Sequence, residues 1–228
     1  MAVDEALLLS DYPGITLRFY QWEQPTLSLG YFQSVADRAQ HPASLNCPVV
    51  RRASGGGAIL HDQELTYSLI APVSQRFGAS ARELYDLAHE SLIESLAGWN
   101  INAILHPATE SGRGDNEPFL CFQRRSSGDV LFGEHKICGS AQRRHQLRIL
   151  QHGSLLLARS AAAPDLPGLA ELASSAPVLS EIRLSWQAVL ARRLQTQAVE
   201  EMLTAEELTA VHEIHEGKFS DPRWTAKR

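Results

Sequence analysis

The chain has little of what would commit it to a membrane, to nucleic acid or to a disulfide framework. It has no unbroken apolar run of about 18 residues, so the sequence predicts no membrane-spanning helix. Its 21 Lys and Arg are outnumbered by 26 Asp and Glu, and the net charge of -5 offers no general attraction to nucleic acid or anionic lipid. Its three cysteines include no C-x-x-C pair. We therefore expect free thiols in a reducing compartment, the cytoplasm, and partners that are recognised locally.

Signals for export and for metal binding are also missing. Residues 1–10 are acidic and helix-forming, without the basic start and the cleavage site of a signal peptide. The chain has nine histidines, but none is spaced with cysteine or carboxylate partners as zinc ligands are. We therefore expect neither export nor a metal site.

What is present is the composition of an ordinary globular domain. With 228 residues, 44% of them hydrophobic, the chain is long enough to bury a sizeable core. Strand patterns dominate the first two thirds, whereas about 162–228 is helical in pattern. We predict one domain, 1–228, of class α+β (mixed α/β), with helices on the faces of a sheet. The predicted helices are 1–10, 80–98, 181–194 and one that starts at 204; the predicted strands are 15–20, 26–30, 48–52, 58–61, 64–70, 129–132, 136–138 and 149–157. Ser80-x-x-Glu83 and Thr204-x-x-Glu207 have the spacing of helix-starting capping boxes. The run 64–70 alternates as a half-buried strand does, with Leu65, Tyr67 and Leu69 on one side.

The first candidate site is a glycine-rich loop between two predicted strands. Ser54-Gly-Gly-Gly-Ala58 follows Arg51 and Arg52 and leads to His61. Consecutive glycines allow backbone N–H groups to line a ligand, and the other interpretation is an ordinary hairpin turn. The loop lacks the Lys-Ser/Thr of a Walker A motif and the G-x-G-x-x-G spacing, so by itself it is a weak indication of a nucleotide site.

The second candidate is a cysteine in a polar segment, 106–128, that we predict to be a long loop. Cys121 is followed by Lys136, and a nearby ammonium favours the thiolate, which is the nucleophilic form of cysteine. The alternative is a small apolar plug, because Phe and Leu flank Cys121. Cys138 is a rival nucleophile because alternate strand residues share a face, although a core-facing role is the better interpretation there. Cys47 is interpreted as structural.

Two histidines and a basic stretch complete the candidates. His61 and His152 lie in strand-to-loop settings, where a single histidine is either a hydrogen-bonded structural residue or part of a pocket lining. The stretch from Arg143 to Arg148 is either a solvated hairpin or a docking patch for an acidic partner, since complementary charge speeds encounter.

Three ordered motifs carry a family resemblance: Arg51-Arg-Ala-Ser-Gly-Gly-Gly-Ala58 with His61-Asp62, then Lys136-Ile-Cys-Gly-Ser-Ala-Gln142, then His152-Gly-Ser-Leu-Leu-Leu157. Together they resemble the lipoate-protein ligase and octanoyltransferase superfamily, which shares its fold with biotin-protein ligases. The resemblance runs from Asp4-Glu-Ala-Leu7 to Lys218-Phe-Ser-Asp-Pro-Arg-Trp224. It implies a central mixed, largely antiparallel sheet flanked by helices.

Two chemistries compete within that superfamily. The ligases activate the free acid with ATP, usually carry an extra C-terminal domain and typically have His-Asp-x-Gly-Asn after the glycines. This chain has His61-Asp-Gln-Glu-Leu-Thr-Tyr-Ser68 instead, and with Cys121 and Lys136 it looks like the LipM-type octanoyl-[acyl-carrier-protein]:protein N-octanoyltransferases. We therefore expect no separate ligase accessory domain.

The resemblance implies a reaction and its partners. It is the transfer of an octanoyl group from acyl carrier protein to a lysine of a lipoyl domain, such as the glycine-cleavage H protein, with no cofactor. The alternatives are an ATP-dependent lipoate or octanoate ligase and a non-catalytic acyl-binding module. We expect a monomer that binds neither nucleic acid nor membrane.

The same resemblance assigns roles to residues. Cys121 is expected to be the nucleophile, and Lys136 the cation that holds its thiolate and the acyl carbonyl. Backbone N–H groups near Gly139 and Ser140 are candidates for the oxyanion site. The expected substrate-binding residues are Arg52, Ser54, Gly55, Gly56, Gly57, Ala58, His61, Gly139, Ser140, Ala141, His152 and Gly153.

The chain departs from the family pattern in two places. The segment Gln123–Asp129 replaces the usual Pro-Ser-x-Tyr-Glu after the cysteine, so we expect the substrate side of this loop to differ. The family also has a strand before its Asp-Glu-Ala-Leu helix, whereas Met1 stands almost at that helix here. A late start codon or a truncation would explain the difference.

Overall fold

The computed structural model describes residues 1–73, 81–107 and 117–227, in which strands form two sheets and helices cover them. The strands are β1 (Thr16–Tyr20), β2 (Thr26–Leu29), β3 (Val49–Arg51), β4 (Ile59–His61), β5 (Glu64–Pro72), β6 (Ile104–Leu105), β7 (Val130–Phe132), β8 (His135–His145) and β9 (Arg148–Leu156). The helices are α1 (Ala2–Leu9), α2 (Ala81–Ala97), α3 (Leu169–Leu172), α4 (Leu179–Leu194), α5 (Ala205–Ile214) and α6 (Pro222–Thr225).

The larger sheet has six strands in the order β1-β5-β9-β8-β7-β6, and every neighbouring pair is antiparallel. Its centre is the long hairpin β8–β9, where His145 pairs with Arg148 across a two-residue turn. Gln146 takes a positive φ of 45° in that turn, as tight hairpins require. The hairpin carries two of the three motifs, so it brings them side by side.

The smaller sheet has the order β3-β2-β4 and carries the glycine-rich loop between β3 and β4. The β2–β3 pair is parallel and the β2–β4 pair antiparallel. The segment that contains Cys121 joins this sheet, because Ala58 forms a parallel bridge with Leu120. The apolar cluster between them contains Leu27, Leu29, Ala58, Leu60, Phe119, Leu120 and Ala163.

One face of the larger sheet packs against α2 and α4. Leu84, Ala88 and Leu92 of α2 are fully buried at helical spacing. From β5, Leu65, Tyr67 and Leu69 face the same cluster, as the alternation predicts. The helices α2 and α4 also pack against each other. Burial of each large apolar side chain contributes roughly 1.5–3 kcal/mol, so this face is the main source of stability.

The opposite face of β5 is covered too, where the sequence predicts a half-buried strand. Leu7 and Leu8 of α1 pack on Ile70 and Leu150. Ser68 donates a hydrogen bond of 2.7 Å to Asp4 of α1, so a polar residue on this face is buried with a partner. The prediction of one exposed face is wrong because α1 folds back over the strand.

The C-terminal helices close over α1 and β3. Thr204 caps α5 by accepting a hydrogen bond from the backbone N–H of Glu207, as its spacing predicts, and α5 packs against α1. Arg51 of β3 donates to the carbonyl of Thr225 in α6 at 2.8 Å, and Trp224 donates back to the Arg51 carbonyl at 2.8 Å. Helix α6 is therefore fixed beside the strand that leads into the glycine-rich loop.

The α+β fold class with a largely antiparallel sheet is confirmed, and details of the strands differ from prediction. The parallel pairing is confined to the smaller sheet. Strand β8 runs to His145 rather than ending at Cys138, because its distal half pairs with β9. β6 was not predicted. Ser80 of the predicted capping box and 108–116 of the predicted 106–128 loop lie outside the described residues. Among the described residues, none of the helices combines the length and the apolar character needed to cross a bilayer.

Candidate active site

Cys121 lies where the two sheets meet, at the start of the 3-10 turn Cys121–Gln123. Its backbone N–H donates to the Ala58 carbonyl at 2.7 Å, and the Ala58 N–H donates to the Phe119 carbonyl at 3.0 Å. The side chain is half-buried and the thiol is free. The last residue of the glycine-rich loop therefore fixes the backbone that presents the thiol.

Lys136 of β8 reaches across to Cys121. Its Nζ lies 3.7 Å from Cys121 Sγ, 3.3 Å from the Cys121 carbonyl oxygen and 2.8 Å from Asp129 Oδ2. Burial acts to lower the pKa of Lys136, but Cys121 and Asp129 together outweigh burial, so the pKa lies above its usual 10.5. Lys136 is thus a buried ammonium that touches both a sulfur and a carboxylate. The structure brings the two predicted catalytic residues together.

Asp129 is a functional candidate that the sequence analysis missed. It is buried, pairs with Lys136, and accepts a hydrogen bond of 2.7 Å from the Ser126 N–H. It stands at the entry to β7, one position before a register irregularity in the β7–β8 pairing. A carboxylate before a strand is common in any sequence, so only its partnership with Lys136 in the fold identifies it.

Arg52 holds the glycine-rich loop through hydrogen bonds to its backbone carbonyls. Its guanidinium is buried and donates to the carbonyls of Ser28, Gly55 and Gly57 at 2.6–3.2 Å. Burial lowers the pKa of Arg52 to about 10, so it stays charged near neutral pH. Because the C=O and N–H of a trans peptide point in opposite directions, the N–H of Gly56 faces away from Arg52. Gly56 has φ of 94°, which favours glycine.

His152 and Ser54 form a hydrogen-bonded pair beside this loop. His152 Nε2 lies 2.5 Å from Ser54 Oγ. Burial lowers the pKa of His152 to about 4, although Asp4 acts in the opposite direction. A neutral imidazole accepts the serine O–H or donates to its oxygen, according to tautomer, and the pair anchors the first residue of the loop.

His61 is held in a buried polar cluster under an indole ring. His61 Nδ1 lies 2.5 Å from Glu64 Oε1, which also accepts hydrogen bonds from Thr66 and Ser154. Trp22 stacks on the His61 ring at 4.3 Å between centroids. These contacts favour the structural role that the sequence analysis left open, while a pocket-lining role for His61 stays a prediction.

The motif residues of the β8–β9 hairpin occupy both faces of the sheet. The Ser140 hydroxyl lies 2.6 Å from Tyr67 Oη and 2.6 Å from His89 Nε2. Gly153 of β9 pairs with Ser140 on one side and with Tyr67 on the other, and Ala141 pairs with His152. The oxyanion role of the Gly139 and Ser140 N–H groups stays a prediction.

Cys138 is buried in the main apolar cluster, with its sulfur 4.0 Å from His89 Nε2. Burial, reinforced by Asp129, raises the pKa of Cys138 far above its usual 9.0. These features describe a neutral core thiol, which is the interpretation favoured from sequence. Cys47 is half-buried, and burial also raises its pKa. Among the described residues, no group of three or more His, Cys, Asp or Glu side chains could hold a metal ion.

The basic stretch is only partly available to a partner. Arg148 is buried, and Arg143 forms an ion pair with Glu5 at 3.2 Å, whereas Arg144 is exposed. The hairpin is therefore not simply solvated, and a docking role stays a prediction that Arg144 fits best.

Two cavities flank the segments described above. One of about 480 Å³ opens at Ser54 and Gly55 and is also lined by Tyr31, Phe32, Ala53, Gln142, Arg143, Lys218 and Trp224. The other, of about 460 Å³, lies beside Phe119 and Gln123 and is also lined by Gln40, His41, Pro42, Ala43, Pro118, Pro164 and Asp165. Both volumes suit a small organic group.

Comparison with known proteins places these residues in a family. The sequence profile described as the lipoyl protein ligase A/B catalytic domain matches residues 1–164. Octanoyltransferase LipM of Oceanobacillus iheyensis is 38% identical over 165 residues, which cover 69% of this chain and 59% of that protein. Octanoyltransferase LipM of Bacillus subtilis is 30% identical over 260 aligned residues, which cover 100% of this chain and 93% of that protein.

Solved structures share the fold at lower identity. A bi-partite lipoate protein ligase from Thermoplasma acidophilum, described with its E2 lipoyl domain, has a TM-score of 0.78 at 20% identity over 99% of this chain and 89% of that one. Lipoate-protein ligase A bound with ATP has a TM-score of 0.79 at 20% identity, over 99% of this chain and 92% of that one. The resemblance seen in the three motifs is confirmed.

Proposed function

Because the chain belongs to the lipoyl protein ligase A/B catalytic domain family, we propose that it is an octanoyltransferase that uses a cysteine thioester intermediate. Relatives named Octanoyltransferase LipM, one of them matched over 93% of its length, support the reaction class. The observation that carries the proposal is the 3.7 Å contact between Cys121 Sγ and Lys136 Nζ. It joins a free thiol to a buried cation beside a glycine-rich loop.

In the first step the Cys121 thiolate attacks the carbonyl carbon of octanoyl-acyl carrier protein. A new C–S bond forms to Cys121, the C–S bond to the carrier thiol breaks, and the leaving thiolate takes up the proton released when Cys121 ionises. Lys136 stays protonated and stabilises negative charge on Cys121 and then on the carbonyl oxygen of the tetrahedral intermediate.

In the second step the neutral amine of an acceptor lysine attacks the Cys121 thioester. A C–N bond forms, the C–S bond breaks, and the thiolate returns to its place beside Lys136 while the amine proton passes to solvent. The product amide is much more stable than the thioester, so the transfer is downhill and needs no ATP. The proposed reaction therefore uses no cofactor.

The octanoyl chain requires an apolar channel next to these atoms. We assign its wall to the loop from Ser54 to Ala58, whose glycines allow close approach, and the 480 Å³ cavity at Ser54 and Gly55 is its candidate opening. Transfer of about eight carbons out of water is worth roughly 0.8 kcal/mol per methylene. A chain of that length can thus contribute several kcal/mol to binding.

The proposed partners are acyl carrier protein as donor and a lipoyl domain, such as the glycine-cleavage H protein, as acceptor. The archaeal ligase with this fold is described with an E2 lipoyl domain, which supports the class of acceptor. We further propose that the protein works as a monomer in the cytoplasm.

The test is the mass of the intact protein after incubation with octanoyl-acyl carrier protein. Wild type is expected to gain one octanoyl group, and Cys121→Ser is expected to gain none as a thioester. Cys138→Ser is the matched control, because it removes a buried thiol from β8, the strand that carries Lys136, and it is expected to react like wild type. A lipoyl domain added afterwards should discharge the adduct and gain the octanoyl group.

Three outcomes would overturn the proposal. An adduct that survives in Cys121→Ser but disappears in Cys138→Ser would move the nucleophile. Modification of a lipoyl domain by free octanoate with ATP, without an enzyme adduct, would indicate a ligase. Binding of the acyl carrier without turnover under either condition would indicate a binding module.

A further inference from the structure

His89 of α2 is a fully buried polar residue with no role in the steps of the proposed reaction. Its Nδ1 lies 2.6 Å from the Gly128 carbonyl oxygen and its Nε2 lies 2.6 Å from Ser140 Oγ. A carbonyl oxygen can only accept, so Nδ1 carries the proton and Nε2 accepts the Ser140 O–H. The tautomer of His89 is thereby determined by its partners.

The same logic fixes a chain of hydrogen bonds that ends at His89. The Ser140 hydroxyl donates to His89 and accepts from Tyr67, at 2.6 Å each. Tyr67 accepts from Gln151 at 2.7 Å, and Gln151 accepts from Gln142 at 2.8 Å. Each donor and acceptor in this chain is matched in one direction only, and such networks define a single arrangement of the groups they join.

This series of hydrogen bonds requires that the His89 imidazole be neutral. Burial lowers the pKa of His89 to about 4. The titratable groups that face His89 come from its own helix and from the β7–β8 region. They are Tyr85 and Asp86 of α2, Asp129 and Lys136, and Cys138 of β8, whose sulfur lies 4.0 Å from His89 Nε2. Near neutral pH the ring is uncharged, so Nε2 remains an acceptor.

Tyr85 lies one turn before His89 and packs against it, with ring centroids 4.4 Å apart. Its hydroxyl donates to Asp129 Oδ1 at 3.3 Å. The other oxygen of Asp129 holds Lys136 at 2.8 Å. Helix α2 therefore contacts the Lys136 partner directly through Tyr85 and the adjacent Gly128 carbonyl through His89.

We propose that His89 and Tyr85 are positioning residues that hold the Gly128–Asp129 segment so that Lys136 stays beside the Cys121 sulfur. This inference rests on the proposed function of Lys136. Gly128 has a positive φ of 87°, and His89 binds the carbonyl of this residue, so the histidine stabilises the turn that delivers Asp129 to Lys136. An apolar residue at position 89 would fit the apolar stripe of the helix, but it would leave the Gly128 carbonyl without its donor and the Ser140 hydroxyl without its acceptor.

The experiment compares four variants in the full-length protein. His89→Leu removes both hydrogen bonds, and His89→Gln keeps an amide donor for Gly128 and an amide oxygen for Ser140. Tyr85→Phe removes only the hydroxyl that donates to Asp129. Leu92→Ala is the matched control, because it makes a cavity in the same face of α2 without touching the network.

The first measurement is the rate at which iodoacetamide alkylates Cys121, followed on its peptide by mass spectrometry across a pH series. The charged groups that face this thiol are Lys136 and Arg52, and Lys136 is in turn faced by Asp129 and Cys138. We expect the profile of His89→Leu to shift toward slower alkylation, by about tenfold at pH 7, because Lys136 no longer lies beside the sulfur. Tyr85→Phe should also slow alkylation, His89→Gln should restore most of the wild-type rate, and Leu92→Ala should leave the rate unchanged.

The second measurement is the rate of octanoyl transfer, with folding checked by circular dichroism. His89→Leu is expected to lower kcat about tenfold with KM for the acyl carrier unchanged, since the substrate does not contact His89. An unchanged alkylation profile in folded His89→Leu and Tyr85→Phe would refute the positioning role, as would an equal shift in Leu92→Ala. If wild type transfers no octanoyl group but the alkylation shift occurs, the proposed function fails while the positioning role stands.

Discussion

Gly139 provides the space that the Lys136 side chain fills. A Cβ built on Gly139 would lie 2.5 Å from Lys136 Cε and 2.8 Å from its Nζ, closer than real atoms approach. The Lys136 side chain passes over Gly139 of its own strand, and its Nζ contacts Cys121 and Asp129. The glycine is therefore required by the close approach of a side chain.

Gly139→Ala is expected to displace Lys136 and to slow formation of the octanoyl adduct on Cys121 by about 100-fold, because a shift of about 1 Å in a reacting group costs that much. The measurement is the single-turnover rate of adduct formation by intact mass. Gly217→Ala is the control, since a Cβ added at position 217 would enter open space, and it should react at the wild-type rate. Wild-type kinetics in Gly139→Ala would show that the position of Lys136 does not matter.

For individual residues, the sequence predicts the identity of site residues better than it predicts the contacts between them. The pairing of Cys121 with Lys136 follows from motif resemblance, and the geometry brings them into contact. Strand alternation groups Lys136 with Cys138, but a register irregularity in the β7–β8 pairing and the bend over Gly139 send the lysine to Cys121 instead. Asp129 could not be found in advance, because no local pattern distinguishes it.

At the scale of elements, helix α5 starts at a capping box that the sequence predicts. Thr204 Oγ1 accepts from the Glu207 N–H at 3.1 Å, and Glu207 Oε2 accepts from the Thr204 N–H at 2.8 Å, which completes a capping box. The helix is only partly buried against α1, so its cap contributes a large share of its local stability.

Thr204→Ala is expected to destabilise α5 by about 1 kcal/mol. The result should appear as faster amide hydrogen exchange throughout α5, by about fivefold, with exchange in the core strand β5 unchanged. Thr209→Ala is the matched control, because it makes the same substitution inside the helix, where Thr209 bonds only to the Ala205 carbonyl. Equal exchange in the two variants would contradict a capping role for Thr204.

Elements with a strong local signal are predictable, whereas their assembly is not. The periodic helix α2 and the alternating strand β5 match their predicted bounds within about two residues. The split into two sheets was missed because strands β2, β3 and β4 have ordinary strand composition, and only tertiary pairing assigns them to a separate sheet. Two-residue β6 is too short to carry a period.

For the whole molecule, the candidate site depends on the contact between the two sheets. Ala58 belongs to the loop of the smaller sheet, Cys121 to the segment that pairs with it, and Lys136 to the larger sheet. A change that loosens the packing between the sheets is therefore expected to separate the Cys121 thiol from the Lys136 ammonium.

Two buried histidines give the folded molecule a predictable response to acid. Burial lowers the pKa of both His89 and His152 from 6.5 to about 4. Between these two values the unfolded chain binds a proton at each histidine that the folded chain does not bind, so the free energy of unfolding falls as the pH falls through this window. The full contribution is present above pH 6.5, and below about pH 4 these two groups cause no further loss.

We expect the free energy of unfolding, measured by urea titration, to drop by about 2 kcal/mol for each histidine between about pH 7 and about pH 5. His89→Gln should remove one of the two contributions and halve the drop, because glutamine does not titrate. His135→Gln, at an exposed position of β8, should leave the drop as it is in wild type. A stability that does not change over this range would mean that both histidines gain protons in the folded state, which is incompatible with the hydrogen bond that His89 Nε2 accepts from Ser140.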